Sequence, residues 1–393
     1  MNKKLIAVAV AGAFVAPAMA LAQTSTVNIY GKVTVEYGYA DQGSGRPNTD
    51  IFQTPGGSAV GFKGEEKLGG GLSAWFQCES SADVRGIGQE GWCGRNSAIG
   101  LKGGWGNLHF GRWDTPFKRA TLGMVGAGDT GLLGAAFLFA GSSTGTIASG
   151  GVAISRNVWK RREAGLIYYE SPSFSGFQVL GAFSAANATA ATDLSTAAKP
   201  RVMSIAGTYR NGPLAAGLGY EKHTEFGSVG GANDDRGWTI GATYKFMGKL
   251  LVGAQYIDTR YEMSSTTDVS KKNWMIGADW NVSGPHHIMG AYIDAGDSKG
   301  NATTSPAAGG NGPITPPMLT ATTPNTGTGA KLWQIAYGYD FSKRTRVKFG
   351  YVKLDNDTAA SYSLGGLATP GAAAAGSVGT SQSAWVMYGE HTF

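Results

Sequence analysis

The feature that most constrains this chain is a two-residue alternation of apolar and polar side chains that continues over long segments. In residues 27–39 the odd-numbered positions are aliphatic, glycine or tyrosine, and the even-numbered positions hold most of the polar side chains. Similar runs recur at residues 236–246, 331–339 and 345–351. A period of two is that of a β-strand with one apolar face. Soluble sandwich strands have about 5–6 residues and membrane-crossing strands about 9–11, so the pattern predicts strands that cross a membrane.

The connections between these strands come in two sizes that alternate along the chain. Seven short turns contain Gly, Pro or Ser, and eight long loops lack apolar periodicity. Together they predict about sixteen strands with both chain ends on the short-turn side. This is the asymmetry of an outer-membrane barrel, with short periplasmic turns and long extracellular loops. The expected fold class is therefore all-β, a transmembrane antiparallel β-barrel of about 16 strands.

Composition excludes the main competing classes. Glycine accounts for 62 of the 393 residues, which disfavours helical folds because each helical glycine costs about 1 kcal/mol. Beyond the N-terminus, no stretch reaches the roughly 18–20 apolar residues of a membrane-spanning helix. The mean hydropathy of -0.13 then leaves a large soluble β protein or a barrel whose apolar face meets lipid.

Residues 1–22 have the organisation of a secretory signal peptide. Lys3 and Lys4 precede an apolar run, and small residues lead up to a cleavage site before Gln23. A buried N-terminal helix is the alternative. Cleavage leaves residues 23–393 as one outer-membrane barrel domain of net charge +4, with 31 basic and 27 acidic residues. Because its basic residues are spread along an exported chain, we expect no nucleic-acid partner.

The two cysteines, Cys78 and Cys93, would enter an oxidising compartment after export. A disulfide between them would close a loop of about 15 residues and contribute about 3 kcal/mol in the chain-entropy model. Two free thiols are the main alternative. A metal pair is disfavoured because no His or second Cys pair lies nearby at ligand spacing.

The last strand ends at Phe393, and a terminal Phe on an amphipathic strand matches the recognition signal of outer-membrane proteins. Four segments, residues 27–33, 61–69, 106–116 and 168–172, resemble strands of the sixteen-stranded Gram-negative general porins, in the same order and spacing. The resemblance covers the whole mature chain. It implies a homotrimer in the outer membrane of a Gram-negative bacterium that passes small hydrophilic solutes and ions without a cofactor.

The longest loop, residues 114–161, is the candidate for narrowing such a pore. A barrel of about sixteen strands leaves a wide channel, so some segment must fold inward. The middle of this loop, residues 131–140, is more apolar than an exposed loop. We therefore expect this third loop to fold into the pore, as in the resembled family. A loop that packs on the barrel rim without selecting solutes is the alternative.

Charged side chains near this loop are the candidates for selecting ions. Basic residues outnumber acids there, which predicts a weak preference for anions. By resemblance, Arg95, Arg112 and Arg162 fall where the family carries wall arginines, although alternation places Arg95 and Arg112 inward only with a bulge. Ala59 stands where the family commonly has another arginine. The full prediction is a constriction of Arg95, Arg112, Lys118, Arg119, Asp129 and Arg162, with Lys32 and Glu36 lining the pore.

Other functions have weaker support. A barrel hydrolase would need a Ser or Thr nucleophile beside a histidine, and no such motif accompanies His109 or His223. A plugged structural or adhesive barrel is the third possibility. The pair His286 and His287 lacks further metal ligands and is predicted to be periplasmic or interfacial. We therefore expect a channel and not an enzyme, with its trimer interface at the first and last strands.

Overall fold

A computed structural model describes residues 26–43, 46–54, 57–85, 91–121, 159–184, 201–224, 234–262, 266–300, 326–360, 362, 364 and 379–393. The predicted signal peptide, Asp129 and the apolar middle of the third loop lie outside these residues.

The described residues form one antiparallel sheet of 18 strands. In chain order the strands are β1 (Thr26–Asp41), β2 (Thr49–Gln53), β3 (Ala59–Gly69), β4 (Leu72–Ser81), β5 (Ser97–Gly103), β6 (Gly106–Asp114), β7 (Arg162–Glu170), β8 (Phe177–Ser184), β9 (Arg201–Asn211), β10 (Leu214–Thr224), β11 (Asp234–Phe246), β12 (Leu250–Glu262), β13 (Asp268–Ser283), β14 (His286–Ala295), β15 (Lys299–Gly300), β16 (Ala330–Asp340), β17 (Thr345–Asn356) and β18 (Ser381–Thr392). A short helix, α1 (Pro116–Ala120), follows β6.

Sixteen of these strands make a closed barrel, which confirms the predicted fold class. The sheet closes where β1 pairs with β18, from Lys32 opposite Thr392 to Asp41 opposite Ser383. The backbone N–H of Gly31 donates to the Phe393 carbonyl at 3.1 Å, and the Phe393 N–H donates back at 3.0 Å. A Cβ on Gly31 would lie 2.5 Å from the Phe393 ring, so this position needs glycine for the ring to lie against the strand.

The two remaining strands, β2 and β15, extend barrel strands within predicted loops. β2 pairs with the long-loop end of β1, whereas β3 pairs with its short-turn end. β15 likewise pairs with β13 beyond the end of β14. At the break between β2 and β3, the backbone N–H of Thr34 donates to the Ser58 hydroxyl at 2.9 Å. The first long loop is therefore shorter than the alternation alone suggested.

The two faces of the strands differ as the sequence predicted. On β1, Ile29 is 64% exposed on the outer face, whereas Thr34 is 1% exposed on the inner face. Aromatic rings pair across neighbouring strands on the outer face, with centroids 5.1–5.4 Å apart. These pairs are Trp238 with Tyr256, Trp274 with Tyr292, and Trp333 with Tyr351. Such outward aromatic girdles mark the membrane interfaces of transmembrane barrels.

Helix content is minimal in the described part of the chain. α1 begins after Thr115, whose hydroxyl accepts from the Lys118 N–H at 3.4 Å, and Pro116 supplies a preset φ for the first turn. Within the described ranges, no helix is long and apolar enough to cross a membrane.

A disulfide joins Cys78 on β4 to Cys93 in the second loop, with the two Cα atoms 4.7 Å apart. The predicted disulfide is thus confirmed. Cys93 lies two residues before Arg95, so the crosslink fixes the loop just ahead of a candidate pore residue.

Candidate functional site

Both described ends of the third loop lie on the inner wall of the barrel. Helix α1 packs against β8–β11, where the Phe117 N–H donates to the Ser204 hydroxyl at 2.9 Å. Gln255 on β12 holds both ends of the loop. Its side-chain N–H donates to the Thr121 carbonyl at 3.1 Å, and its oxygen accepts from Lys160 Nζ at 2.6 Å. The loop therefore enters and leaves the barrel along β9–β12.

Trp159 anchors the returning end of the loop. Its indole N–H donates to the Tyr261 hydroxyl at 2.8 Å, and its ring stacks on His223 at 4.3 Å. His223 in turn bonds the Glu221 carboxylate at 2.8 Å, and both side chains are buried. Trp159 thus packs flat against inward side chains of β10 and β12.

Glycines on β10 and β11 make room for this contact. A Cβ on Gly217 would lie 1.9 Å from the Ala120 carbonyl oxygen, and one on Gly219 would lie 3.0 Å from the Ala120 Cβ. On β11, a Cβ on Gly237 would lie 2.9 Å from the Trp159 ring. The backbone of the loop therefore approaches the wall at a distance that side chains would forbid.

The eighth loop also returns to the inner wall. Tyr362 is buried, and its backbone N–H donates to the Asn356 side-chain oxygen at 2.8 Å. Its hydroxyl bonds the amine of Lys271 on β13. Farther along, the Leu364 N–H donates to the Gln382 side chain on β18 at 2.9 Å. The described residues of the eighth loop thus also lie on the inner wall, between β13 and β18, which sequence reasoning did not predict.

A charged network lies where the third loop leaves β6. The Asp114 carboxylate accepts from Lys118 Nζ at 2.7 Å and from the Asn96 amide at 3.1 Å, and it lies 3.3 Å from Arg162 Nε. Arg162 Nε also donates to the Asn96 oxygen at 2.7 Å. Burial lowers the pKa of the Lys118 amine, while the Asp114 charge opposes that shift. The structure thus brings two of the predicted cations onto one carboxylate.

Arg119 stands apart from that network. Its guanidinium pairs with the Glu170 carboxylate and lies 5.7 Å from the Tyr168 ring centroid. The ring of His109 also stacks on Tyr168, with centroids 4.6 Å apart. Arg119 is therefore held by an acid and an aromatic face.

Arg95 lies on the opposite side of the barrel mouth from β10–β12. Its Nε donates to one oxygen of Glu79 at 2.8 Å, and the Tyr30 hydroxyl donates to the other oxygen at 3.1 Å. The Lys63 amine lies 4.9 Å from the Tyr30 ring. These contacts join β1, β3, β4 and the second loop into one network of charged and aromatic side chains.

Lys32 and Glu36 both project from the inner face of β1. Lys32 Nζ pairs with a Glu390 oxygen at 3.2 Å across the closing strands, and its side chain is 38% exposed. Lys32 also stands directly opposite Ala59 in the β1–β3 register. A cation therefore faces the place where the resembled family has an arginine. Glu36 is buried and accepts from the Gln53 amide at 2.5 Å.

Arg112 is not brought into these networks. It stands opposite Ser97, its Nε is buried without a hydrogen-bond partner, and it forms no ion pair within the described ranges. The β6–β7 ladder has an irregularity beside it, between Gly111 and Trp113. Such a break in alternation is the feature that the sequence did not reveal at this position.

Comparison with protein-family models gives one match, to the family described as Gram-negative porin, over residues 7–359. The chain belongs to this family. The closed sixteen-stranded barrel, with both described ends of its third loop on the inner wall, agrees with this assignment.

Among curated proteins, this porin is 32% identical over 186 residues to the major outer membrane protein P.IB of Neisseria gonorrhoeae, which covers 45% of this chain and 46% of the relative. It is 28% identical over 316 residues to outer membrane porin protein 32 of Delftia acidovorans, which covers 77% of this chain and 84% of the relative. The first relatives are thus matched over less than half of their own length.

Solved structures share the fold of this porin at low identity. An anion-selective porin from Comamonas acidovorans superposes with a TM-score of 0.69 at 22% identity, covering 94% of this chain and 100% of the other. The trimer form of OmpT from Vibrio cholerae gives a TM-score of 0.58 at 13% identity, covering 94% and 99%.

Sequence reasoning missed several partners of the predicted residues. Tyr30 could have been found, because it lies two residues before Lys32 on the inner face of β1. Glu390 could also have been found, because it stands opposite Thr34 on the inner face where the first and last strands pair. Glu79 and Asn96 could not, because loop 2 brings their contacts together. The missed set is Tyr30, Lys63, Glu79, Asn96, Glu170 and Glu390.

Two histidines of this porin, His109 and His287, lie among aromatic rings and carboxylates respectively. Both ring nitrogens of the buried His109 lack hydrogen-bond partners among described residues, and its ring packs against Trp75, Trp113 and Tyr168. His287 bonds Asp279 at 2.8 Å and lies 3.5 Å from Asp340. No cluster of metal-ligating side chains occurs in the described ranges.

Proposed function

We propose that this porin is a passive, water-filled channel of the Gram-negative outer membrane. It admits small hydrophilic solutes and ions and has a modest preference for anions. Family membership and the closed barrel support the channel, one relative is named as an outer membrane porin, and one solved structure is named as an anion-selective porin. The observation that carries the proposal is the excess of basic side chains inside the barrel.

Five basic side chains around the pore pair with four carboxylates, a sixth cation has none within the described ranges, and Glu36 is a further inward acid that bonds Gln53. Lys118 and Arg162 share Asp114, whereas Lys63 has no carboxylate partner among the described residues. A low-dielectric rim strengthens such an imbalance in a narrow water column, which favours anions. The basic set is Lys32, Lys63, Arg95, Lys118, Arg119 and Arg162, and the acids are Glu79, Asp114, Glu170 and Glu390.

Within this channel we assign the constriction to Arg95, Lys118, Arg119 and Arg162, with Arg112 and Asp129 retained as sequence-based members. Lys32 lines the pore on the first strand, and Glu36, buried against Gln53, is retained as a sequence-based lining residue. The water access of Lys32, and its place opposite Ala59, support a role for Lys32 in place of the absent arginine.

We also propose a homotrimer that packs through the closing strands. Val27 and Trp385 are among the apolar side chains that β1 and β18 expose on the outer face. The second loop, crosslinked by the disulfide, places Trp92 5.8 Å from Phe62 and leaves Trp92 74% exposed. An exposed tryptophan on a crosslinked loop suits a contact with a neighbouring subunit.

Reconstitution in planar bilayers tests the channel and its selectivity. We expect stepwise conductance in threes and a reversal potential in a salt gradient that favours anions. Lys32→Gln combined with Lys63→Gln should move the anion-to-cation permeability ratio toward one. The matched control is Lys343→Gln with Arg344→Gln in an exposed short turn, which removes equal charge away from the lumen.

Salt provides a second control. The shift should shrink between 0.1 M and 1 M salt, because the Debye length falls from about 10 Å to about 3 Å. An unchanged ratio in the lumen variant would remove these lysines from the filter. Absence of any conductance from folded protein would favour a plugged barrel or a hydrolase instead.

A further inference from the structure

The inner wall of β4–β6 carries a tryptophan that lies flat against the barrel. Trp75 stands opposite Gly100, where a Cβ would lie 2.7 Å from the indole atoms Cε2 and Nε1. The indole N–H donates to the Asn107 side-chain oxygen at 2.8 Å, which holds the ring across β5 toward β6. Trp113 meets this ring edge-on, with centroids 5.8 Å apart. Because one face of the partly exposed indole covers Gly100, its other face is turned toward the channel.

Three charged side chains surround Trp75 on the same inner face. Glu65 stands directly opposite Trp75 in the β3–β4 register. Its carboxylate accepts from Lys102 Nζ at 2.5 Å and from Lys67 Nζ at 2.6 Å. Both lysines stand opposite Ser73, one inward position nearer the short turns, and the Lys67 and Lys102 side chains are 71% and 43% exposed. Because one carboxylate neutralises only one of the two amines, this part of the wall keeps one net positive charge in contact with water.

Asn107 adds a neutral donor beside the same amines. It stands opposite Lys102 in the β5–β6 register, and its side-chain oxygen is taken by the Trp75 indole. Its side-chain N–H2 group makes no hydrogen bond to another described residue. An amide N–H next to an ammonium group suits a carboxylate, which can accept at both of its oxygens. An aromatic face and a carboxylate-binding pair are thus neighbours on one wall.

This group of residues lies at the periplasmic mouth, away from the constriction. β4 begins at Leu72, three residues before Trp75, and short turns are periplasmic in such barrels. Asn107 is near the start of β6, whereas Asp114, which binds Lys118, is at its other end. A solute that moves inward therefore reaches Trp75 after it has passed the third loop.

We infer that this part of the wall binds aromatic carboxylates on their way through the channel. The ring of the solute stacks on the open face of Trp75, and its carboxylate contacts Lys102 and Asn107. Stacked aromatic rings attract one another beyond the effect of burying apolar area. A neutral sugar could stack on the same indole, but it would gain nothing from the excess positive charge. The inference rests on the proposed channel, whose substrate class it narrows.

Isothermal titration calorimetry on the folded porin in detergent micelles measures this binding independently of conductance. The probes are benzoate, acetate, benzyl alcohol and glucose, each corrected for the heat of addition to empty micelles. We expect benzoate to bind at least about fivefold more tightly than acetate or benzyl alcohol, because only benzoate has both the ring and the charge. Acetate or benzyl alcohol binding as tightly as benzoate would overturn the inference. Glucose binding as tightly would make this a sugar site, which also overturns it.

Substitutions test the ring and the charge separately. Trp75→Leu should weaken benzoate binding about fivefold, whereas Trp75→Phe keeps a ring and should retain most of the affinity. Lys102→Gln should weaken benzoate binding about threefold and leave benzyl alcohol binding unchanged. The matched control is Lys348→Gln, which removes an inward cation three residues after the start of β17, where its amine lies 4.3 Å from the Tyr388 ring centroid. Equal losses from Lys102→Gln and Lys348→Gln would indicate general charge attraction and overturn the site.

Gly100→Ala tests the seat of the indole without removing a ring or a charge. Its Cβ would lie 2.7 Å from the indole and 2.7 Å from the His109 Cβ, so the ring must shift and benzoate binding should weaken. Circular dichroism checks that each variant is a folded barrel. Unchanged benzoate affinity in both Gly100→Ala and Trp75→Leu would place the solute away from this ring and overturn the inference.

Bilayer recordings on the same samples keep this inference separate from the proposed function. Stepwise conductance without selective benzoate binding would refute only the aromatic carboxylate site. Selective benzoate binding that is lost in Trp75→Leu, from a folded protein without conductance, would leave the site and refute only the channel.

Discussion

The inner wall of this porin is built differently on its two sides, although both sides follow the same two-residue alternation. On β10 and β11 the inward positions include Gly217, Gly219 and Gly237, and the ends of the third loop lie against them. On β1 and β4 the inward positions include Lys32 and Glu79, which form ion pairs inside the barrel.

The difference shows what occupies the space in front of each wall. Where a loop lies against the strands, the inward residues are glycines, so the two backbones can approach closely. Where the wall faces the channel, long charged side chains extend from it and pair with one another. On β10 and β11 the inward glycines thus mark where the loop ends dock, whereas on β1 and β4 the charged side chains mark the wall that faces the channel. We call these the glycine wall (Gly217, Gly219 and Gly237) and the charged wall (Lys32, Glu79 and Arg95).

Gly217→Val is the strongest way to disrupt the glycine wall. The new side chain would collide with the backbone of Ala120, which a rotamer change cannot relieve, and we expect a loss of about 3 kcal/mol or more of unfolding free energy. Displacing α1 should also raise single-channel conductance. Urea unfolding in vesicles and bilayer recordings measure both effects.

The control for this substitution is Gly207→Val. Gly207 lies in the neighbouring strand β9, and a Cβ there would have no neighbour within 4 Å. We expect near-normal conductance from it. Equal effects of the two variants would show that the glycines matter for strand formation and not for seating the loop.

Removal of the disulfide tests whether the charged wall depends on its crosslink. The Cys78→Ser, Cys93→Ser variant should lose about 3 kcal/mol, since the closed loop is about 15 residues long. Because Arg95 follows Cys93 closely, the permeability ratio should also fall toward one. Thermal unfolding and reversal potentials report the two effects. A large stability loss with an unchanged ratio would show that the Glu79 contact alone positions Arg95.

Arg162→Ser and Arg112→Ser form a matched pair with a smaller expected effect. Arg162 contacts both Asp114 and Asn96, so its loss should cost about 2 kcal/mol and lower the anion preference at low salt. Arg112 has no such partners among the described residues, so its loss should change stability by less than about 0.5 kcal/mol. Urea unfolding and reversal potentials compare them. A larger effect from Arg112 would place that arginine, and not Arg162, at the filter.

Much of the architecture could be predicted from the sequence because its cause is local. Alternation on β1 required only that neighbouring side chains point to opposite faces, and the turn residues limited how strands connect. The Cys78–Cys93 bond was predictable because only two cysteines exist. Lys118 and Asp114 are four residues apart, so their contact was also within local reach.

What the sequence alone determined is therefore the closed sixteen-stranded barrel, its outer apolar face and the disulfide. Only the tertiary structure decided that Gln255 holds both ends of the third loop, that Tyr362 returns to Lys271, and that Arg112 stays outside the networks joining Arg162 and Arg95 to their acids. The physical reason is that these contacts join segments far apart in the chain. They depend on the barrel register and on an irregularity beside Arg112, and no short-range periodicity encodes either.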